Sequence, residues 1–351
     1  MRLWEKNIRQ VVPYTPGEQP KGENIIKLNT NENPYPPAEG VLKAHASLEN
    51  LRFYPDPAAS DLVKAIAEYH GLKESEVFVG VGSDDVLAMS FMTFFNGDKP
   101  IFFPDISYSF YDVWAELFKI PYGQKALNEN FEIIASDYYP ENGGVIFPNP
   151  NAPTGLAVSL SFIRDILEHN QDVIVIIDEA YIDFGGESAL SLLAEYENLL
   201  VVRTFSKSRS MAGLRIGYAM GNEELIKALN DVKYSYNSYT MNYPSIILGV
   251  ESIKDDAYFK ETIAKVVETR EWFKQELTRL GFVYPDSSSN FVFASHKTLP
   301  AKEIFEKAKE NNIYVRYFDK PGIQNYLRIS IGTREEMEIF VSFLETLERR
   351  L

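Results

Sequence analysis

The stretch VIVIIDEAY, residues 173–181, contains an apolar run, Val173 to Ile177, that is too short for a helix and ends in two carboxylates and a phenol. A second run, Leu199 to Val202, ends in Arg-Thr-Phe-Ser-Lys at residues 203–207. Strands of a parallel sheet that helices cover on both faces have this near-continuous apolar character. The two runs therefore predict buried strands whose carboxyl ends carry polar side chains.

Similar short runs lie elsewhere in the first two thirds of the chain, bounded by Gly, Pro, Asn or Asp: residues 77–81, 99–103 and 144–147. Stretches with helical periodicity separate several of them, at residues 85–95, 108–117 and 160–170. Strands that alternate with helices are typical of an α/β fold. We therefore expect a large domain with a mostly parallel sheet covered by helices.

The pattern changes at about residue 245, and a length of 351 residues suits roughly two domains. A long charged amphipathic stretch, residues 255–280, precedes three apolar segments at 290–294, 313–317 and 326–331, which together predict a smaller α+β domain. The first 30 residues are rich in Pro, Gly and Asn and show no periodicity. The predicted organisation is an amino-terminal arm at 1–30 packing with the small domain, a large domain at 31–244 and a small domain at 245–351.

Composition limits the classes of partner. A net charge of -15 repels nucleic acid and anionic lipid, so we expect neither as a partner. The absence of cysteine excludes disulfides and thiolate sites, and no two of the four histidines have helical metal-ligand spacing, so no metal is expected. No uncharged apolar run reaches the ~18 residues of a membrane span, and no apolar leader begins the chain, which predicts a cytoplasmic protein.

The polar residues at the carboxyl ends of the predicted strands are expected to lie together at one site. Ligands of open parallel sheets bind beyond these ends. Residues 80–85, Gly-Val-Gly-Ser-Asp-Asp, lie between a predicted strand and a predicted helix, whose first N–H groups attract an anion. With Asp178, Tyr181 and Lys207 they supply a phosphate cradle, a carboxylate, a phenol and an amine. Pyridoxal phosphate requires an amine for its aldehyde, a carboxylate for its ring nitrogen and donors for its phosphate.

Other interpretations explain single features only. An apolar strand ending in Asp-Glu also occurs in ATPases, but the chain has no Gly-Lys dipeptide for their phosphate loop. Gly80 and Gly82 resemble the first two glycines of the dinucleotide-binding pattern Gly-x-Gly-x-x-Gly, but Asp85 occupies the position of the third glycine. Asp178 alone could cap a helix, and Lys207 alone could be a solvated surface lysine. Their joint occurrence favours a pyridoxal-phosphate enzyme.

Several segments resemble those of fold-type I pyridoxal-phosphate aminotransferases: NPNAPTG (149–155), IDEAY (177–181) and RTFSKSRSMAGLRIG (203–217). Three more narrow the resemblance to the histidinol-phosphate aminotransferase family: LNTNENPYPP (28–37), FYPDP (53–57) and LRISIGTREE (327–336). The resemblance covers essentially the whole chain. It implies transamination of L-histidinol phosphate with 2-oxoglutarate, giving imidazole-acetol phosphate and glutamate in histidine biosynthesis, by a homodimer with shared active sites.

The resemblance also implies roles for individual residues at the cofactor. Lys207 would bind the cofactor covalently and then move a proton, and Asp178 would pair with the ring nitrogen. Tyr181 would donate to the phenolic oxygen, and Tyr108 would stack on the ring. The phosphate would be held by Ser83, Asp84, Thr204, Ser206 and Arg215, with Tyr54 contributed by the neighbouring subunit. Related enzymes often carry Asn where this chain has Ala152, so Asn151 is assigned that contact.

For the substrate, the resemblance implies that Arg316, Arg328 and Tyr14 bind the phosphate ester, since guanidinium groups suit a dianion. In that family Asn33 and Asn290 lie in motifs near the substrate. The same arginine in sister enzymes holds an amino-acid carboxylate. Three alternatives therefore stay open: an aromatic amino-acid aminotransferase, a phosphothreonine-type decarboxylase, and a catalytically inactive relative that acts as a regulator.

Overall fold

A computed structural model describes residue 9, residues 11–46 and residues 48–348 of the chain. It contains a seven-stranded sheet and a five-stranded sheet within these residues. The strands are β1 (Ile26–Leu28), β2 (Val77–Gly80), β3 (Ile101–Pro104), β4 (Tyr122–Lys125), β5 (Val145–Pro148), β6 (Val175–Asp178), β7 (Leu199–Thr204), β8 (Gly217–Gly221), β9 (Phe282–Val283), β10 (Phe291–His296), β11 (Ile313–Tyr317) and β12 (Leu327–Ser330).

The described helices lie between and around these strands. They are α1 (Glu39–His45), α2 (Ser60–His70), α3 (Ser83–Phe94), α4 (Tyr111–Phe118), α5 (Leu160–His169), α6 (Glu223–Tyr236), α7 (Tyr243–Lys254), α8 (Asp256–Arg279), α9 (Ala301–Glu310) and α10 (Arg334–Glu348). Among the residues described, no helix is long and apolar enough to cross a membrane.

The larger sheet has the strand order β2-β8-β7-β6-β5-β3-β4. Its strands are parallel except β8, which runs antiparallel to both β2 and β7. Alternate residues of β6 enter two different apolar cores: Val175 and Ile177 face one, and Ile176 faces the other. Helices thus cover both faces, which explains why central strands such as β5 and β6 are mostly apolar, whereas the edge strand β4 is partly exposed and carries Gln and Lys. The predicted fold class is confirmed.

The smaller sheet has the order β1-β11-β12-β10-β9 and packs against α8, α9 and α10. Its first strand, β1, comes from the segment predicted as an arm and pairs in parallel with β11. The core beneath it includes Val266 and Phe273 of α8 and Phe340 of α10. A short segment of the amino terminus is therefore an integral strand of this unit.

Helix α7 crosses the boundary that the sequence predicts between residues 244 and 245. Its Ile246, Leu248 and Ile253 are buried in a core of the larger sheet, whereas α8 packs its buried side chains on the smaller one. We therefore propose that the domain boundary lies near residue 255, between α7 and α8.

Candidate active site

A cleft lies at the carboxyl ends of the parallel strands, where the topology of an open sheet places ligands. Most of the side chains predicted to bind the cofactor line it. They are Ser83, Asp84, Tyr108, Asp178, Tyr181, Thr204, Ser206, Lys207 and Arg215, and Pro148, Ala152 and Ala180 complete the wall.

Lys207 lies three residues beyond the end of β7, within this cleft. Its Nζ donates a hydrogen bond to the carbonyl of Thr30 at 3.1 Å. The same nitrogen lies 5.7 Å from the centre of the Tyr181 ring. The amine is therefore held inside the cleft by a backbone acceptor from the amino-terminal segment.

Asp178 ends β6 and is only 4% exposed. The Tyr111 hydroxyl donates to one carboxylate oxygen at 2.9 Å, and the backbone N–H of Ala180 donates to the other at 3.3 Å. Burial raises the pKa of Asp178 from 3.8 to about 6, although the Tyr111 hydrogen bond opposes the shift. A buried carboxylate that has no cationic partner among the described residues suits a ligand that brings its own positive charge.

Another part of the cleft lining is suited to bind an anion. Helix α3 begins at Ser83, and its first two residues line the cleft, where the free N–H groups of a helix start attract negative charge. Arg215 Nη1 donates to Ser206 Oγ at 3.3 Å, and the Thr204 hydroxyl donates to Ser206 Oγ at 3.0 Å. A Cβ on Gly217 would lie 2.2 Å from the backbone nitrogen of Ser83, so glycine there lets β8 approach the helix start.

The Asp84 side chain makes two hydrogen bonds within the cleft, and its predicted contact with the phosphate stays a prediction. Its carboxylate accepts from the Tyr108 hydroxyl at 2.6 Å and from Arg215 Nη2 at 3.0 Å. An ionised carboxylate has no proton to donate to a phosphate, so only its backbone N–H is suited to that contact. Burial, together with the Asp84 charge, raises the pKa of Tyr108 above its usual value. The Asp84 side chain therefore orients Tyr108 and Arg215.

Arg316 and Arg328 are directly paired residues on the antiparallel strands β11 and β12. Arg328 Nη2 donates to the Asn29 carbonyl at 3.1 Å, while its Nε is buried without a partner among the described residues. Arg316 Nη2 donates to the Thr15 carbonyl at 3.3 Å. Burial lowers the pKa of Arg328, and the positive charge of Arg316 lowers it further. Two neighbouring guanidinium groups with spare donors suit a dianion.

Tyr14 and Asn33 lie outside the described cleft lining. The Tyr14 ring stacks on Phe110 at 4.1 Å between centroids. Asn33 donates to the carbonyl of Ser208 at 3.0 Å and accepts from the N–H of Tyr35 at 3.0 Å. Asn33 therefore ties its segment to the loop after Lys207, and its predicted contact with substrate stays a prediction.

Asn151 does not line the cleft, whereas Ala152 does. Its Nδ2 donates to the carbonyl of Ile106 at 3.0 Å and to the Thr154 hydroxyl at 3.1 Å. The remaining oxygen is buried without a partner among the described residues and has no proton to donate. The amide donor assigned to the cofactor thus already bonds Ile106 and Thr154, and the predicted contact of Asn151 with the cofactor stays a prediction.

Comparison with known proteins agrees with this geometry. Residues 23–344 match the sequence profile of the class I and II aminotransferases. A histidinol-phosphate aminotransferase of Clostridium botulinum (strain Okra / Type B1) is 51% identical over 352 residues, covering 100% of this chain and 99% of that protein. The chain belongs to the histidinol-phosphate aminotransferase family.

Solved structures show the same fold. The histidinol-phosphate aminotransferase of Clostridium acetobutylicum superimposes with a TM-score of 0.86 at 24% identity, covering 93% of this chain and 100% of that one. The Sinorhizobium meliloti protein of the same name, in complex with pyridoxal-5'-phosphate, gives a TM-score of 0.82 at 21% identity, covering 92% and 91%. The aminotransferase uses pyridoxal phosphate as its cofactor.

The donor set of this aminotransferase fits that cofactor. The buried Asp178 has no cationic partner among the described residues, the helix start and Arg215 suit a phosphate, and the Lys207 amine lines the same cleft. Two further residues in contact with the site were not predicted. Tyr111 is the third aromatic residue of the segment SYSFY, and Asn31 lies in the motif LNTNENPYPP. Asn31 Nδ2 donates to the Tyr181 hydroxyl oxygen at 3.0 Å.

Proposed function

We propose that this aminotransferase transfers the amino group of L-histidinol phosphate to 2-oxoglutarate, giving imidazole-acetol phosphate and glutamate. The observation that carries the proposal is the arginine pair, Arg316 and Arg328, in which the buried Nε of Arg328 has no partner among the described residues. The full-length similarity to the Clostridium botulinum enzyme supports the same substrate. A half-reaction tests it: histidinol phosphate, mixed with the enzyme alone, is expected to bleach the visible absorbance of the bound cofactor faster than any aromatic amino acid.

Each residue of the cleft has a proposed task. When bound, pyridoxal phosphate supplies a protonated ring that accepts the electron pair released as a Cα–H bond breaks. Lys207 Nζ would bind the cofactor and, once displaced by the substrate amine, would move the proton from the substrate Cα to C4′ of the cofactor. Asp178 keeps the ring nitrogen protonated, and Tyr181 donates to the phenolic oxygen. Tyr108 stacks on the ring, and Arg215, Ser206, Thr204 and the start of α3 hold the phosphate.

The alternatives differ in what they predict. An aromatic amino-acid aminotransferase would use Arg328 for a carboxylate, and a phosphothreonine-type decarboxylase would release carbon dioxide. An inactive relative would not react with an amine at all. The half-reaction, repeated with aromatic amino acids, separates the two aminotransferases from each other. Carbon dioxide release from phosphothreonine identifies the decarboxylase, because decarboxylation leaves the cofactor in its original form, and an inactive relative shows neither reaction. The cytoplasmic location that the sequence favours stays a prediction.

Replacing Arg328 with alanine is expected to lower kcat/KM for histidinol phosphate by at least about 30-fold, since a buried charged pair contributes roughly 2 kcal/mol or more. Steady-state kinetics with histidinol phosphate and with an aromatic amino acid measure the effect. Arg279→Ala is a matched control, because that exposed arginine pairs only with Glu276 and Glu345 among the described residues. If histidinol phosphate reacts unchanged while amino acids lose activity, the aromatic aminotransferase assignment is correct instead.

We also propose that the enzyme is a homodimer in which Tyr54 reaches the cofactor phosphate of the neighbouring subunit. Tyr54 is 82% exposed and does not line the cleft of its own chain. Its ring packs on Tyr239 at 4.7 Å. Phe53, next to Tyr54 in the sequence, and Tyr236, close to Tyr239 in the sequence, are also exposed. A cluster of exposed aromatic side chains favours a protein interface.

A mixture of inactive variants tests the shared site. Tyr54→Ala and Lys207→Ala homodimers are both expected to be impaired, because each damages both sites. In the mixed dimer one site carries both defects, and the other combines an intact Lys207 with an intact Tyr54. Purified mixed dimers are therefore expected to approach half of wild-type activity. No gain over the parent variants would show that Tyr54 does not serve the neighbouring site.

A further inference from the structure

Asn31 occupies an unusual position between the cleft and the smaller sheet. It is 1% exposed and has a φ of 56°, in the left-handed region that asparagine tolerates better than most residues. Its backbone carbonyl accepts from Asn290 Nδ2 at 3.0 Å, and its backbone N–H donates to Ser330 Oγ at 2.9 Å. Its amide side chain lies between Ser330 and Tyr181.

The hydrogen bonds decide the orientation of this amide. The Ser330 hydroxyl donates to Asn31 Oδ1 at 2.8 Å, and Asn31 Nδ2 donates to the Tyr181 oxygen at 3.0 Å. With the amide flipped, the buried Ser330 proton would have no acceptor among the described residues. An unsatisfied buried hydroxyl is unfavourable, so the first orientation is preferred.

The orientation fixes the direction of the next hydrogen bond. The Tyr181 oxygen accepts from Asn31, so its own proton is not used there and stays available to the cleft that Tyr181 lines. We propose that Asn31 and Ser330 are positioning residues that fix the Tyr181 hydroxyl as a donor to the cofactor's phenolic oxygen. The proposal rests on the role proposed for Tyr181 and is independent of the identity of the substrate.

The two positioning residues are linked to the rest of the site. Ser330 and the substrate-binding Arg328 are two residues apart on β12 and so share one face of the strand. The carbonyls of Asn29 and Thr30 accept from Arg328 and Lys207. Asn31 therefore also links the amino-terminal segment to the rest of the site, and the experiment must separate this structural role from an effect on Tyr181.

The pH titration of the visible absorption of the cofactor-bound enzyme, without substrate, reports on the phenolic oxygen. While the lysine-bound chromophore is protonated, the phenolic oxygen shares that proton. Once the proton is lost, the phenolic oxygen carries its negative charge alone. A donor to the oxygen favours this deprotonated form, so loss of the donor raises the pKa of the chromophore. Tyr181→Phe is expected to raise it by roughly one unit, which is the size of one charge-assisted hydrogen bond.

Two variants test the positioning residues. Asn31→Gly removes the amide but allows the backbone its positive φ, and Ser330→Ala removes the hydroxyl that orients the amide. Both are expected to raise the chromophore pKa by up to about one unit, and Ser330→Thr is expected to restore it. Ser295→Ala is the matched control, because this buried serine on β10 bonds only Asn325 among the described side chains.

A double-variant cycle gives the decisive result. Added to Tyr181→Phe, Asn31→Gly is expected to cause no further change in the chromophore pKa, because the hydroxyl it orients is already gone. If Asn31→Gly changed the chromophore pKa equally in the wild-type and the Tyr181→Phe enzymes, the proposal would be overturned. It would also be overturned if Ser330→Ala left the chromophore pKa at its wild-type value. If Asn31→Gly fails to fold, Ser330→Ala decides alone. A wild-type titration for Tyr181→Phe would remove the proposed role of Tyr181 and the inference with it.

Discussion

The Lys207→Ala enzyme is expected to have no measurable turnover while it still binds pyridoxal phosphate. The variant loses both the amine that binds the cofactor and the base that moves the substrate proton. Proton transfer alone contributes up to about 10⁴-fold, so kcat is expected to fall by roughly that factor or more. Arg215, Ser206 and the start of α3 are unchanged, so the phosphate remains anchored.

The measurements are kcat with histidinol phosphate and the amount of cofactor retained after gel filtration. Borohydride reduction of the wild-type enzyme is expected to fix the cofactor on the peptide that contains Lys207. Lys207→Arg keeps the positive charge without a comparable nucleophile, and Lys297→Ala removes an exposed lysine outside the cleft. Multiple turnover near the wild-type rate in Lys207→Ala would show that another group does the chemistry.

The sequence predicted the larger sheet well where local pattern and burial agree. Strands buried on both faces, such as β6 and β7, begin with an unbroken apolar run. Each ends in polar residues, and these polar ends meet at one edge of the sheet. Strand β8, with the sequence GYAMG, was not predicted, because glycine weakens the local signal for a strand. Close approach to the start of α3 requires Gly217, and that contact is not visible in the local sequence.

The unpredicted residues of the site depend on contacts across the chain. Asn31 meets Tyr181 across 150 positions and Ser330 across 299, and no periodicity or spacing encodes such pairs. Tyr111 contacts Asp178 across 67 positions. The residue types required by the cofactor were predictable from its chemistry. The groups that orient them were not, because they depend on the packing of segments that are distant in the sequence.

Asp178→Asn is expected to lower kcat by several orders of magnitude with only a modest loss of cofactor. The amide keeps the shape and can still accept from Tyr111, but it has no charge to keep the ring nitrogen protonated. Steady-state kinetics and cofactor titration measure the two effects. Asp172→Asn is the matched control, because Asp172 is an exposed carboxylate near the other end of β6.

The same substitution is expected to change the stability of the cofactor-free protein in a pH-dependent way. Burial raises the pKa of Asp178 to about 6 from 3.8, so the folded state binds its proton more tightly than the unfolded state. Between those pH values the folded protein holds more protons, and the contribution of Asp178 to stability falls as the pH rises. The loss approaches roughly 3 kcal/mol above pH 6, since one pKa unit corresponds to about 1.4 kcal/mol.

Asparagine does not titrate, so this loss is absent from the variant. Without cofactor, Asp178→Asn is expected to become more stable relative to wild type as the pH rises from about 4 to 6, measured by urea unfolding at each pH. With cofactor bound, the positive ring nitrogen pairs with the wild-type carboxylate, and the difference in stability between the two proteins is expected to shrink or reverse.

The kinetic part of the prediction has its own contrary outcome. A fall in kcat of less than about tenfold in Asp178→Asn, or roughly 1.4 kcal/mol of barrier, would mean that the charge of Asp178 is not needed for catalysis.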